Sequence, residues 1–287
     1  MKILVTGANG QLGNELRLIL PGAFPEAQVL FTDVADLDLT DSAAVNRYVE
    51  DRDVTHIVNC AAYTAVDRAE EDKAACTAIN VDAVKNLAIA ADSHGAKVIH
   101  LSTDYVFDGR AYRPYRESDK VNPCSHYGTT KRAGETALLA LAPESIIIRT
   151  AWLYSPFGHN FVKTMLALGQ TNPALRVVYD QIGSPTYAPN LAKAIVCILR
   201  SAQWVPGIYH YADSGVTSWY DFTKAIHRLG GISGCEIRPI PSEDYPTAAV
   251  RPFFSVLDTT RIRLTYGVET PYWLDSLQDC INRLKKQ

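Results

Sequence analysis

MKILVTGANGQLG, residues 1–13, carries an apolar run, Ile3-Leu4-Val5, into a turn holding Gly7, Gly10 and Gly13. An apolar strand that enters a glycine-rich turn and then a helix leaves free backbone N–H groups at a positive helix end, which suits a pyrophosphate. The spacing is G-x-x-G-x-x-G rather than the common G-x-G-x-x-G, and an ordinary βα turn reads the same way. An acidic residue about twenty positions on shifts the balance. Asp33 follows the apolar run Val29-Leu30-Phe31, where a carboxylate can accept from adenosine ribose hydroxyls and repel a 2′-phosphate. The stretch predicts a dinucleotide site, tilted towards NADH with NADPH left open.

The chain has 287 residues, 47% hydrophobic and 21% charged, which suits a globular protein with a large core and one main domain or a domain plus a smaller lobe. A formal net charge of −3 offers no general attraction to nucleic acid or membrane surfaces. No long apolar stretch or basic leader stands out, and a cytoplasmic location is expected. The six cysteines, at 60, 76, 124, 197, 235 and 280, form no C-x-x-C pair and read as reduced structural thiols.

Working outward, helix signals run from Gln11 to Leu20 and stop at Pro21-Gly22. Thr40 or Asp41 caps a second helix, Thr55–Ala61 reads as a buried strand, and a long helix is predicted over Lys73–Ser93. Strand Ala96–Ser102, a helix from Tyr127 to about Ala142 and strand Ser145–Arg149 continue the alternation. This rhythm predicts an α/β fold: a doubly wound, mostly parallel Rossmann-type sheet. Helix Asn190–Arg200 and strand Gly207–Tyr211 are expected to return to that sheet, while a helix from about Ser218 to Leu229, a Pro-rich stretch near Pro239–Pro252 and a helix near Trp273–Leu284 are expected in a smaller lobe over the strand ends. The expected division is a dinucleotide-binding domain over 1–155 plus about 188–212, and a smaller C-terminal substrate-binding lobe over about 156–187 plus 213–287.

Tyr127 and Lys131 stand four apart at a helix start, on one face, and Thr103 ends an earlier strand. A lysine cation near a phenol favours the phenolate, so Lys131 is expected to lower the Tyr127 pKa. Ketone reduction needs a hydride to carbon and a proton to oxygen. Tyr127 can give the proton, Thr103 can bond the carbonyl oxygen, and Lys131 can tune the phenol and hold the nicotinamide ribose. A Tyr/Lys pair decorating a helix surface has the same spacing, and the glycine turn with Thr103 is what favours chemistry.

The chain resembles the extended short-chain dehydrogenase/reductase family through GANGQLG at 7–13, NCAAYTAVDRAE at 59–70, LSTDYVFDG at 101–109, YGTTKRAGE at 127–135, RTAWLY at 149–154 and DQIGSPTYA at 180–188. The resemblance implies reduction of the C4 ketone of dTDP-4-dehydro-β-L-rhamnose by NADH or NADPH, supplying cell-surface polysaccharide. It also implies that Thr103, Tyr127 and Lys131 are catalytic. Gly7, Asn9, Gly10, Gln11, Leu12, Gly13, Asp33, Asp38, Leu39, Ala61, Ala62, Tyr63 and Asn80, with Tyr127 and Lys131, would hold the cofactor. Val66, Asp104 and Trp152, with Thr103 and Tyr127, would meet the dTDP-sugar. Arg251 is a candidate for its diphosphate, with an ion pair securing the small lobe as the other reading. Members of this family are described as homodimers held partly by Mg2+ through glutamates. Glu15 matches one such position, Pro189 stands where another glutamate is wanted, and a solvated helix residue is the bland reading of Glu15. Two alternatives are kept. One is a nucleotide-sugar epimerase or 4,6-dehydratase, although Asp104 is followed by Tyr105 and not by the glutamate a dehydratase wants. The other is a non-catalytic subunit resembling the regulator of methionine adenosyltransferase.

Overall fold

The computed structural model describes residues 1–286; the last residue of the expected 213–287 lobe lies outside them. In chain order the elements are β1 (Lys2–Thr6), α1 (Gln11–Ala23), β2 (Gln28–Thr32), α2 (Ser42–Asp51), β3 (His56–Asn59), α3 (Lys73–Thr77), α4 (Ala83–His94), β4 (Lys97–Thr103), α5 (His126–Leu141) and β5 (Ile146–Thr150). There follow β6 (Leu153–Tyr154), α6 (Phe161–Thr171), β7 (Ala174–Val178), β8 (Ile182–Gly183), β9 (Thr186–Tyr187), α7 (Ala188–Arg200), β10 (Gly207–His210), β11 (Thr217–Ser218), α8 (Trp219–Gly230), β12 (Glu236–Ile240), α9 (Thr260–Tyr266) and α10 (Trp273–Leu284).

Six strands form one sheet in the order β2-β1-β3-β4-β5-β10, every neighbouring pair parallel. Its strands are apolar on both faces because helices cover both: Ile146, Ile147 and Ile148 of β5 are all fully buried. On one face Leu12, Leu16 and Leu20 of α1 pack with Leu191 and Ile195 of α7. On the other, Val45 and Val49 of α2 meet Leu87 of α4 and Leu138 of α5. A further core gathers Val162 of α6, Phe222 and Ile226 of α8, Ile237 of β12 and Leu277 of α10. Ile262 of α9 and Val268 join the first core, so the chain returns to the large sheet after α8 and β12.

Three details differ from the sequence reading. Helix α1 continues through Pro21 to Ala23, since proline's φ is itself helical and the Arg17 carbonyl it leaves unpaired belongs to an exposed residue. The helix expected over Lys73–Ser93 is broken by a π turn at Ala78–Asp82, whose Asn80 turns its side chain onto the Tyr63 backbone. The Pro-rich stretch near 239 opens inside a strand, β12, which pairs in parallel with β7; its Pro239 is tolerated because the pair has no further strand to receive from it.

Candidate active site

All six strands of the sheet run the same way, and their carboxyl ends meet two adjoining cavities of about 570 Å³ and about 470 Å³ that share Gly7, Gly10, Cys60 and Ala62. The glycine turn shapes the junction. Gly7 sits at φ +63°, and a Cβ there would lie 2.6 Å from the Ala61 nitrogen; one on Gly13 would lie 2.5 Å from the Gly7 oxygen. The turn is therefore pressed against the end of β3. Gly10 caps α1 without a side-chain bond, and the first turn of α1 holds no acidic residue, so its N–H groups face the cavity with nothing to neutralise them.

The smaller cavity is lined by Asn9, Asp33, Asp38, Leu39, Ala61, Ala62 and Tyr63. Asp33 accepts from the Asn9 backbone N–H at 2.9 Å, which binds the end of β2 to the glycine turn. The Thr40 hydroxyl and N–H both donate to Asp38 and hold its carboxyl below the usual range. Asn80 lines neither cavity. Buried beneath, its amide accepts from the Tyr63 N–H and donates to the Tyr63 carbonyl, fixing the loop that forms the wall.

The larger cavity brings together Gln11, Leu12, Val66, Thr103, Asp104, Tyr127, Lys131 and Trp152. Helix α5 starts where the Ser125 hydroxyl accepts from the Gly128 N–H at 3.1 Å, which sets Tyr127 and Lys131 on its inward face. Burial raises the Tyr127 phenol above its usual range, partly offset by the neighbouring Thr103 hydroxyl. The expected lowering by Lys131 does not appear: besides burial, the groups acting on the phenol are Thr103, Asp104, Tyr105 and Cys76. Taking a phenolate out of water costs more than the neighbouring groups return, and the lysine itself is pushed down to about 8 by the same burial. Lys131 Nζ donates to the Leu101 carbonyl at 2.6 Å and lies 3.4 Å from His100 Nε2. Thr103 Oγ1 donates to Asp104 Oδ1 at 2.9 Å, while Asp104 Oδ2 is buried with no partner. Burial pushes the Asp104 carboxyl up to about 6.

Trp152 holds φ +48° and stacks on Trp219, ring centroids 3.5 Å apart and planes at 10°. With Phe161 and Phe222 these rings make an apolar wall of the cavity that Thr103 and Tyr127 also line. The sequence reading missed Trp219, Phe161 and Phe222; the aromatic density of WYDF at 219–222 was the available signal, without any catalytic spacing.

Two candidates are placed elsewhere. Arg251 does not line the cavities: it pairs with Asp67 and donates to the Tyr105 hydroxyl at 3.2 Å, the lobe-securing ion pair of the two readings. Glu15 is buried and not solvated, since Ser155 Oγ donates to it at 2.7 Å and Arg283 at 3.1 Å from the other end of the chain. Both carboxylate oxygens are engaged, and among the described residues no group of three or more His, Cys, Asp or Glu is placed to hold a metal ion.

The model of the family described as "RmlD substrate binding domain" matches residues 1–286. A dTDP-4-dehydrorhamnose reductase from Aggregatibacter actinomycetemcomitans is 39% identical, over 97% of this chain and 97% of its own. Among solved structures, a dTDP-4-dehydrorhamnose reductase from Clostridium acetobutylicum superposes with a TM-score of 0.95 at 46% identity, covering 99% of this chain and 100% of the other. One from Bacillus anthracis, in complex with NADP, gives 0.94 at 35% identity over 98% of this chain and 99% of its own. With matching that spans the glycine turn, the Thr103–Tyr127–Lys131 cluster and the aromatic wall alike, the chain belongs to the RmlD substrate binding domain family, within the extended short-chain dehydrogenases/reductases.

Proposed function

We propose that this chain reduces the C4 ketone of dTDP-4-dehydro-β-L-rhamnose to dTDP-β-L-rhamnose with NADH or NADPH. The observation that carries this reading is the meeting of Thr103, Tyr127 and Lys131 on one cavity wall beside the glycine turn. The residues fit a dinucleotide: Gly7 and Gly13 leave no room for a Cβ, and the N–H groups of α1 are free for a pyrophosphate. Asp33 at the end of β2 favours a ribose with a free 2′-hydroxyl, and the smaller cavity offers Leu39 and Ala62 to an adenine ring.

The reduced nicotinamide, when bound, supplies the hydride. Tyr127 keeps its proton in the buried site and gives it to the C4 oxygen as charge develops there. Thr103 turns its hydroxyl from Asp104 to the same oxygen, and Lys131, one turn along α5 and lining the same cavity, supplies an ammonium that steadies the phenolate left behind. Asp104 lines the same cavity and holds Thr103 beside the sugar until its hydroxyl turns to the ketone, and the Trp152–Trp219 stack covers an apolar sugar face and screens the reaction from water. Six free cysteines are consistent with a reducing cytoplasm. No helix among the described residues is long and apolar enough to cross a membrane.

The test is purified protein with the dTDP-sugar and each reduced cofactor, following loss of nicotinamide absorbance and identifying the product. Oxidation of the cofactor with formation of dTDP-β-L-rhamnose is expected. Folded protein that stays silent with both cofactors, where a control reductase turns over, sinks the assignment.

A further inference from the structure

Beneath the reacting groups lies a buried chain of side chains that the proposed reduction does not itself use. Asn59, the last residue of β3, accepts at Oδ1 from the Thr6 hydroxyl at 2.7 Å and from the Ala61 N–H at 3.1 Å. A backbone N–H can only donate, so this end of the amide is the oxygen. Its Nδ2 therefore faces His100 Nδ1, 3.0 Å away. An amide NH2 also only donates, so His100 Nδ1 accepts, and a neutral imidazole that accepts at Nδ1 carries its single proton on Nε2. His100 is fully buried, and burial holds its pKa well below the ordinary range, which keeps the ring neutral. Its Nε2 points at Lys131 Nζ, 3.4 Å away.

We propose that His100 is a positioning residue: Asn59 holds it as the Nε2–H tautomer, and that N–H, aimed at the Lys131 amine, sets the proton state of Lys131. An ammonium would turn protons towards an N–H, whereas the uncharged amine offers it a lone pair and still donates to the Leu101 carbonyl. The other groups facing Lys131 do not reverse this. Glu135, one turn along α5, favours the ammonium, but Arg149, Arg132 and Ser102 already engage its carboxylate. The Cys60 thiol beyond β3 is pushed up to about 12 by burial and is neutral. The Cys76 thiol on α3 completes the set. For the catalytic consequence alone, the inference rests on the reductase reading: turnover falls on the alkaline side as Lys131 loses its proton, and His100 sets where that limb lies.

The test uses the full chain labelled with 15N-histidine and 13Cε-lysine, the signals assigned by their loss in His100→Gln and Lys131→Met. In the wild type His100 should show a protonated Nε2 and a bare Nδ1, and its Nε2 signal should shift with the same midpoint as the Lys131 titration. Asn59→Asp keeps one oxygen for Thr6 and Ala61 and offers a second to His100. The tautomer should swap to Nδ1–H, and the Lys131 midpoint and the alkaline limb of turnover should both rise by about one pH unit or more. A bare Nε2 in the wild type, or an Nε2 signal indifferent to the Lys131 titration, overturns the proposal even if Asn59→Asp does not fold. A tautomer swap without movement of the Lys131 midpoint does the same. Absent turnover in the wild type counts against the reductase reading alone, because the histidine and lysine signals are read without substrate.

Discussion

At the scale of single residues the site sets charge against burial. Tyr127 keeps its phenol protonated because burial dominates, and Phe at that position would still fill the space beside Tyr105, whose ring lies edge-on at 5.5 Å. Tyr127→Phe should keep cofactor affinity in a fluorescence titration and lose turnover by roughly 10²–10⁴-fold; undiminished reduction would remove the phenol from its role. Asp104 presents the opposite case, a carboxylate whose Oδ2 has no partner. Its folded pKa, pushed up to about 6, lies above the ordinary carboxyl value of 3.8, so the folded state binds the proton more tightly. Stability from this group is fully present below about pH 3.8 and is lost as the pH rises through about 6. Asp104→Asn should therefore raise the melting temperature at pH 7–8, by a free energy on the order of 2 kcal/mol, while impairing turnover. A melting temperature unchanged or lowered at that pH would show the carboxylate to be satisfied. The spacing of Tyr127 and Lys131 was legible in the sequence because four residues bring two side chains to one helix face. The direction of the Tyr127 shift was not, because burial depends on what the fold stacks above the ring.

Among elements, the junction of β1, the glycine turn and α1 bears the tightest contacts. A methyl group on Gly13 would fall 2.5 Å from the Gly7 oxygen and 2.6 Å from the Ala8 Cα, all backbone, so the turn or the helix must move. Gly13→Ala should weaken cofactor binding at least tenfold and destabilise the protein by about 1–3 kcal/mol, read by calorimetric titration and urea unfolding. Wild-type affinity would show that the turn yields cheaply. Existence and type of the long elements were legible: Asp41 does cap α2, accepting from the Ala44 N–H at 3.0 Å, and α10 occupies Trp273–Leu284 as its apolar period indicates. The π turn at Ala78–Asp82 was not, because its cause lies outside the helix. Gly134 of α5 comes so close to the Asn80 carbonyl that a Cβ would sit 2.2 Å from it, and the Asn80 side chain is committed to Tyr63.

Across the whole molecule, the first and last helices are tied through Glu15. Arg283 of α10 donates to Glu15 of α1 and also to the Tyr187 hydroxyl, while Ser155 holds the other carboxylate oxygen. Replacing the half-exposed Arg283 leaves a buried carboxylate with one donor. Arg283→Met should cost about 1–3 kcal/mol in denaturant unfolding and leave the chemical step largely intact. A variant as stable as the wild type would show that water takes over the arginine's place.

The sequence by itself determined the doubly wound parallel sheet, since strand and helix periods alternate along the chain and each is a local property of spacing. It determined equally the glycine turn, with Asp33 beyond it, and the Thr103, Tyr127 and Lys131 set, which share a helix face or a strand end. Only the tertiary structure decided that Glu15 is an interior tie, that Arg251 pairs with Asp67, that Trp219 backs Trp152, and that Asn59 and His100 reach under Lys131. Each of these joins residues far apart in the chain, and whether a charge is solvated, paired or buried follows from the packed neighbours, which no local period encodes.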